Sequence, residues 1–239
     1  AMAKVARKRE DTRDPIRNYN KMTFAQLEKT MPGMDWKLFV DAVGLKNVDS
    51  VIVGQPEYLV ALNGLLKQYP MDAWKDYFRY KLIQASARYL DDKTYTEYFN
   101  FYSGVLRGVK EQRPRWKRTV DQTNNALGEL IGQVYVEEYL PKGTKEKLLE
   151  IGESIRSVYG ERINQLDWMS EETKKKAQTK LKAIVMKVGY PDKWKDLSSV
   201  NIDRSSYLRN VMNVGKWEFD YMINKYGKPV DRTEWDMQP

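Results

Sequence analysis

The 239-residue sequence contains no histidine and no cysteine. Imidazole and thiolate groups supply most proton transfer near neutral pH and most zinc coordination in proteins. Their absence excludes a cysteine nucleophile, a Ser-His-Asp triad, an HExxH zinc helix and a disulfide framework within this sequence. The chain by itself therefore lacks the groups of a complete hydrolase of these types.

Proline and glycine are sparse as well, at nine and fourteen residues, so no long flexible linker marks a domain boundary. No apolar run reaches the length of a membrane span, and no basic-then-apolar leader opens the sequence. Residues 1–3 are consistent with a cloning remnant, in which case a targeting segment would lie outside this sequence. Hydrophobic residues make up 41% of the chain, which is enough for a folded core.

The formal net charge of +8 raises binding to nucleic acid or to an anionic membrane as one function. Acidic residues are nevertheless interleaved with the basic ones, as in Glu171 and Glu172 followed by Lys174. Interleaved charges are typical of solvated helix faces. We therefore predict no nucleic-acid partner.

The dominant period is helical, because apolar residues recur every three or four positions over most of the chain. Thr23, Asp35 and Ser170 are predicted helix N-caps, and Pro56 suits the first turn of a helix. Only residues 48–54 (VDSVIVG) are predicted to be extended, and they are too isolated to imply a sheet of their own. The predicted class is all-α, a multi-helix lobe with long antiparallel helices and at most a minor extended segment.

Long helices are predicted in the second half of the chain, at residues 113–139 and 144–166, after Ser170, and at about 205–226. The helix after Ser170 is predicted to be broken by residues 189–194 (GYPDKW). The apolar residues predicted to face inward from the helix at 144–166 are Leu148, Ile151, Ile155, Val158, Tyr159 and Ile163. Those predicted to form the buried stripe of the next helix are Ala177, Leu181, Ile184, Val185 and Val188.

A mostly aromatic stripe also follows helical spacing and consists of Tyr95, Tyr98, Phe99, Tyr102 and Leu106. Such a stripe can be a base-stacking platform or a ligand cleft, but at this spacing it is most often core. Adjacent carboxylates occur as Asp91/Asp92, Glu137/Glu138 and Glu171/Glu172. Helix neighbours diverge by about 100° and do not converge on one atom, so we interpret these pairs as surface charges.

Several segments together resemble the amino-terminal half of neprilysin-like zinc metallopeptidases. They are QPEYL at 55–59, RWKRTV at 115–120, TNNALGELIGQVYVEEY at 123–139, LDWMSEETK at 166–174 and GYPDKW at 189–194. Their order and spacing match over nearly the whole chain from about Asp14. Thr119 stands where animal members commonly have a disulfide-bonded cysteine, which suggests a bacterial-type member.

The resemblance implies a two-lobed parent, a zinc metalloendopeptidase that hydrolyses peptides. In the family, an HExxH helix and a downstream ExxxD in the carboxy-terminal catalytic lobe hold the zinc, and a helical lobe closes over the cavity. The implied organisation is a charged arm or connector at 1–14, the helical lid lobe at 15–228 and a crossover beginning at 229–239. No position matches a family catalytic, substrate-binding or zinc-binding residue, so none is assigned, and this chain is predicted to bind no zinc and to be inactive.

Two other functions remain open. The chain can be a self-standing helical interaction module that uses a face around Gly128 and Gly132. It can also be a basic polyanion binder that uses Arg113, Arg115, Lys117 and Arg118. The enzyme-lobe interpretation predicts an uncovered apolar or mixed face. Family members are exported, membrane-anchored or intracellular, and we expect an extracytoplasmic parent.

Overall fold

A computed structural model, which describes residues 1–235, contains nine α-helices and one two-stranded sheet. This confirms the predicted all-α class. Contacts group the chain into two compact units: unit 1 holds residues 1–110 and 219–226, and unit 2 holds residues 111–218 and those from 227. The predicted boundaries at residues 14 and 228 stay a prediction, and residues 236–239 of the predicted crossover lie outside the described residues.

Unit 1 contains the first five helices, which begin where local signals place them. Thr23 and Asp35 cap the first two helices, accepting hydrogen bonds from the backbone N–H groups of Gln26 and Leu38, as predicted. Pro56 is the first residue of the third helix, and Pro70 directly precedes the fourth. The helices are α1 (Phe24–Thr30), α2 (Trp36–Ala42), α3 (Pro56–Gln68), α4 (Met71–Ser86) and α5 (Asp92–Phe99), the last continued by a π-helix at Asn100–Val105.

The predicted extended segment forms strand β2 (Ser50–Val53), which pairs antiparallel with β1 (Asn20–Thr23). Asn20 lies opposite Val53 and Thr23 opposite Ser50. The sequence did not reveal β1, because NKMT contains a single apolar residue and shows no strand alternation.

The charged segment before residue 15 contains two short 3₁₀ turns and is anchored through Arg7. The Arg7 guanidinium donates two hydrogen bonds to the carboxylate of Glu57. It also donates to the carbonyl oxygens of Arg17 at 3.0 Å and Gly54 at 2.9 Å, and to Oδ1 of Asn18 at 3.1 Å. The Arg7 side chain is only 13% exposed, so this part of the arm is fixed to the junction of β2 and α3.

Unit 2 contains α6 (Arg115–Tyr139), α7 (Thr144–Gln165), α8 (Glu171–Lys182) and most of α9 (Tyr207–Ile223). Ser170 caps α8 as predicted, accepting from the backbone N–H of Thr173. The helix ends at Lys182, before the predicted break, so Ile184 and Val185 lie outside it and are 49% and 57% exposed. The prediction that they belong to a buried stripe is wrong.

The buried apolar core in the described part of the chain is small and consists of Leu27, Met31, Ala87, Phe99, Leu197 and Val214. Many large apolar side chains are exposed instead, notably on α6 and α7. Across residues 1–235, none of the helices combines the length and the apolar character that a bilayer crossing requires.

Candidate docking surfaces

One exposed surface, the α6 face, follows the amino-terminal half of α6. Trp116 and Val120 are 65% and 50% exposed, and they lie one helical turn apart. They border an open groove whose lining is Arg115, Trp116, Thr119, Val120, Thr123, Asn124 and Ile131. The groove combines apolar surface with hydroxyl and amide groups. This confirms the prediction of an uncovered mixed face.

The middle of α6 departs from regular helix at Leu127, where φ is −127° and ψ is 26°. Two residues later, Glu129 accepts a hydrogen bond from the backbone N–H of Lys195 at 2.7 Å and pairs with its ammonium at 3.0 Å. The Glu129 side chain is 13% exposed, so this pair is well shielded from solvent. It holds the segment after residue 189 against α6.

The same segment reaches the carboxy-terminal end of the described chain. Nζ of Lys195 donates to the carbonyl oxygen of Trp235 at 3.4 Å, and Nζ of Lys187 donates to that of Glu234. These cation-to-carbonyl bonds position residues 234–235 within unit 2.

The GYPDKW segment is fixed to the start of α7 through Lys145, whose side chain is 13% exposed. Its ammonium donates to the carbonyl oxygen of Tyr190 at 2.8 Å and to Oδ1 of Asp192 at 2.6 Å. It also lies 4.5 Å from the centre of the Tyr190 ring, a cation–π distance. Gly189 precedes Tyr190 with φ of +73°, a conformation that favours glycine. The contacts of the GYPDKW segment described above therefore serve to pack it against α7.

The α7 helix has two faces. One packs against α8 and the segment after it, with Gly152 beside Met186 and Gly160 beside Gln178. Gln178 donates through Nε2 to the carbonyl oxygen of Gly160 at 2.7 Å and to Oδ1 of Asn164 at 2.9 Å. A Cβ atom at Gly152 would meet the Met186 sulfur at 2.4 Å, so the close contact requires glycine there, and the same face also carries the half-buried Leu149 and Ile163.

The other surface, the α7 face, carries the large apolar side chains that were predicted to point inward. They are exposed by 38% for Leu148, 48% for Ile151, 53% for Ile155, 48% for Val158 and 59% for Tyr159. Of the predicted set, only Ile163 is half-buried. The inward prediction for the other residues is wrong, because α8 covers the glycine face rather than the apolar stripe.

The predicted aromatic core is only partly buried. Phe99 is 9% exposed and Leu106 is 61% exposed, so the stripe is core at one position and surface at another. Tyr102 lies between these positions, with its hydroxyl 2.6 Å from that of Tyr80 and accepting from Nε2 of Gln84 at 2.6 Å. The hydrogen bond with Tyr80 raises the pKa of Tyr102 to about 12. Tyr102 is therefore a neutral hydrogen-bonding group at physiological pH.

Two of the three pairs of adjacent carboxylates have structural partners in the described chain. Asp91 caps α5 through Thr94, and these hydrogen bonds hold the pKa of Asp91 below its ordinary value. Glu171 and Glu172 pair with lysines of α8 on the surface. Over residues 1–235, no three acidic side chains gather in a group that can hold a metal ion.

The glycine face of α6 and the basic cluster, which the two alternative functions would use, also make contacts within the chain. Gly132 is buried. In the basic cluster, Arg113 pairs with Asp121, the Arg118 guanidinium donates to the carbonyl oxygen of Arg113 at 3.1 Å, and Lys117 lies 5.4 Å from the Trp116 ring centre. Neither arrangement favours the module or the polyanion interpretation.

Comparison with known proteins decides the family. Residues 1–191 match the model for the amino-terminal part of peptidase family M13. The chain belongs to peptidase family M13. The match begins at residue 1, earlier than the resemblance recognised from about Asp14, so it takes in the anchored arm with Arg7.

The curated relatives of this M13 chain are much longer than it is. Neutral endopeptidase of Lactobacillus helveticus is 30% identical over 99% of the chain, which spans 37% of that protein. Neprilysin of Oryctolagus cuniculus is 28% identical over 98% of the chain, which spans 34% of that protein. The chain thus spans about a third of the length of these relatives.

Solved structures share the fold of this M13 chain. Zinc metalloprotease Zmp1 of Mycobacterium tuberculosis in an open state is 35% identical, with a TM-score of 0.90 over 100% of the chain and 37% of its own. The same protein in complex with an inhibitor is 34% identical, with a TM-score of 0.88 over 99% of the chain and 36% of its own. The chain therefore shares its helical fold with a zinc metalloprotease whose structure is known both in an open state and in complex with an inhibitor.

Proposed function

We propose that this chain is the substrate-enclosing lobe of a zinc-dependent metalloendopeptidase that hydrolyses peptides. Membership of family M13, together with the fold shared with a zinc metalloprotease over about a third of its length, carries the proposal. The likeness holds for both the open and the inhibitor-bound relative, which supports a lobe that keeps its own fold in these two states of the enzyme.

Zinc belongs to the intact enzyme rather than to this lobe in our proposal. The sequence has neither histidine nor cysteine, and its described residues bring no suitable carboxylates together. These residues do not fit a zinc site of the usual nitrogen and sulfur type. The metal ligands and the water-activating base would come from the catalytic lobe of the same parent chain, which is the partner that we propose.

The α6 face is our candidate for the surface directed at the peptide. Its groove pairs the apolar bodies of Trp116 and Val120 with the polar groups of Thr119 and Asn124. A peptide offers the same combination, apolar side chains beside backbone donors and acceptors, and ligand sites commonly combine such groups. The surface contributes binding and exclusion of bulky substrates, and the chemistry takes place elsewhere.

Metal analysis and a peptide-cleavage assay on the purified chain test the assignment of chemistry. We expect less than stoichiometric zinc and no hydrolysis of an unstructured peptide of about ten residues. Zinc-dependent cleavage that copurifies with the chain through successive columns would overturn the proposal.

The enclosing role is tested in an M13 peptidase that contains this lobe. Trp116→Ala should change KM or the preference among peptides of different length while zinc content stays constant. Trp168→Ala is the matched control, because Trp168 is also exposed, at 74%, but lies in the turn between α7 and α8. Equal effects of the two substitutions would contradict the assignment of the α6 face.

A further inference from the structure

The guanidinium of Arg7 lies in a set of five oxygen acceptors, the guanidinium cage, at the junction of β2 and α3. Two of them are the carboxylate oxygens of Glu57, which accept from Nε and Nη2 side by side. The other three surround Nη1 and are the carbonyl oxygens of Arg17 and Gly54 and Oδ1 of Asn18. A carboxylate that faces the planar fork, with more acceptors at its far edge, selects arginine over lysine.

The cage is built by residues 17–57, so its oxygens do not come from the segment that it holds. Nδ2 of Asn20 in β1 donates to the carbonyl oxygen of Arg17 at 2.8 Å and to that of Val53 at 3.0 Å. Glu57 lies in the first turn of α3, where the positive end of the helix dipole stabilises a carboxylate. The two strands and α3 therefore position these acceptors independently of Arg7.

Residues 1–10 depend on the cage for their polar attachment. Within residues 1–235, every hydrogen bond and ion pair that joins residues 1–10 to the chain beyond residue 14 is made by Arg7. Of these ten residues, Met2, Val5 and Arg7 are half-buried and the other seven are exposed. A segment attached through one side chain can be exchanged for a competitor that fills the same site.

We propose that the guanidinium cage is a binding site for an arginine residue of a peptide segment, and that Arg7 occupies it as an internal ligand. The backbone N–H of Arg7 donates to Oε1 of Gln55 at 3.3 Å, beside the cage. This contact favours an arginine within a peptide over a free guanidinium compound, because it recognises the main chain. An arginine of another chain can then enter the cage when residues 1–10 leave it.

Chemical rescue tests the cage in the 239-residue chain. Arg7→Ala empties the cage, and N-ethylguanidinium supplies the atoms that this substitution removes. We expect N-ethylguanidinium to raise the Tm of the variant saturably, with a dissociation constant on the order of 1 mM, and to produce no saturable shift in the wild type. Propylammonium, a cation without the planar fork, is the matched control. No saturable shift with N-ethylguanidinium, or an equal shift with propylammonium, would overturn the proposal.

A peptide of residues 1–10 distinguishes an arginine in a chain from a free guanidinium. In isothermal titration calorimetry it should bind the Arg7→Ala variant more tightly than N-ethylguanidinium does. The same peptide with Arg7→Lys should bind about tenfold more weakly, because it loses charge-assisted hydrogen bonds. Equal binding of the two peptides, or peptide binding no tighter than that of N-ethylguanidinium, would refute recognition of a peptide arginine.

A fluorophore on Ala3→Cys measures release of residues 1–10 while Arg7 is kept, because the chain has no native cysteine. Glu57→Lys replaces the carboxylate by a second cation, so it should lower the fluorescence anisotropy of the label. Arg13→Ala removes an exposed arginine close to the same segment and should leave the anisotropy unchanged. Unchanged anisotropy in Glu57→Lys would contradict attachment through the cage. These measurements need neither zinc nor peptide cleavage, so this proposal and the proposed function can fail separately.

Discussion

The packing of Gly152 against Met186 allows a prediction of how Gly152→Ala changes the free energy of unfolding. Two effects of known size, helix propensity and overpacking, oppose each other there. A Cβ atom added at Gly152 would lie 2.4 Å from the sulfur of Met186 and 3.4 Å from its terminal methyl carbon. The first distance is far below van der Waals contact. Gly152→Ala must therefore displace the Met186 side chain or move α7 away from the segment after α8.

The helix itself would favour alanine. Replacing an interior helix glycine by alanine stabilises by about 1 kcal/mol, whereas overpacking a close contact costs about 1–3 kcal/mol. Gly152→Ala should therefore change the free energy of unfolding by between about 0 and −2 kcal/mol. Gly215→Ala in α9 is the control in unit 2, because no atom lies within 4 Å of its added Cβ, and it should stabilise by about 1 kcal/mol.

Urea unfolding followed by circular dichroism measures both variants. A second substitution, Met186→Ala, should remove the penalty at residue 152, so the two substitutions should couple by about 0.5–3 kcal/mol. If Gly152→Ala stabilises as much as Gly215→Ala, the close contact does not constrain α7 and the reasoning fails.

Three further predictions concern polar contacts. The Arg7 hydrogen bond lowers the pKa of Glu57, so its stabilisation should be complete above the unfolded value of about 4.3 and be lost as the pH falls through the folded pKa. Urea midpoints of wild type and Glu57→Gln should therefore differ at pH 7 and converge as the pH falls through the folded pKa of Glu57, and a constant difference would contradict this. Ser170→Ala should lower the free energy of unfolding by about 1 kcal/mol, and Ser170→Asp should not, in thermal melts; equal losses would exclude capping as the cause. Glu129→Ala should speed hydrogen exchange at the backbone amide of Lys195 and leave α7 amides unchanged, and unchanged protection at Lys195 would refute the link between the two segments.

Local signals predicted much of the fold because they act over a few residues. A cap such as Thr23 needs only the backbone N–H three residues later, and Pro56 needs only its own ring geometry. Strand β1 was missed because its polar sequence gains extended structure only from pairing with β2. Arg7 was missed for a similar reason, since its partner Glu57 lies 50 residues away.

Burial was the least predictable property of the surfaces. Periodicity identified the stripe with Ile151 and Ile155 correctly as one face of a helix, but it does not say which face a neighbour covers. Gly152 carried that information, because the segment after α8 approaches it too closely for a Cβ atom. The groove along α6 could not be predicted for the same reason, since the spacing of Trp116 and Val120 fits a core stripe and an exposed one equally well.

Thr23 is both the last residue of β1 and the N-cap of α1, so no residue separates the strand from the helix. A single-residue insertion at this junction would have nowhere to be absorbed. It would move the strand by one position, which exchanges its two faces, or rotate the helix by about 100°. The pairing of Thr23 with Ser50 thus sets which side of α1 meets its neighbours, and strand and helix must change together.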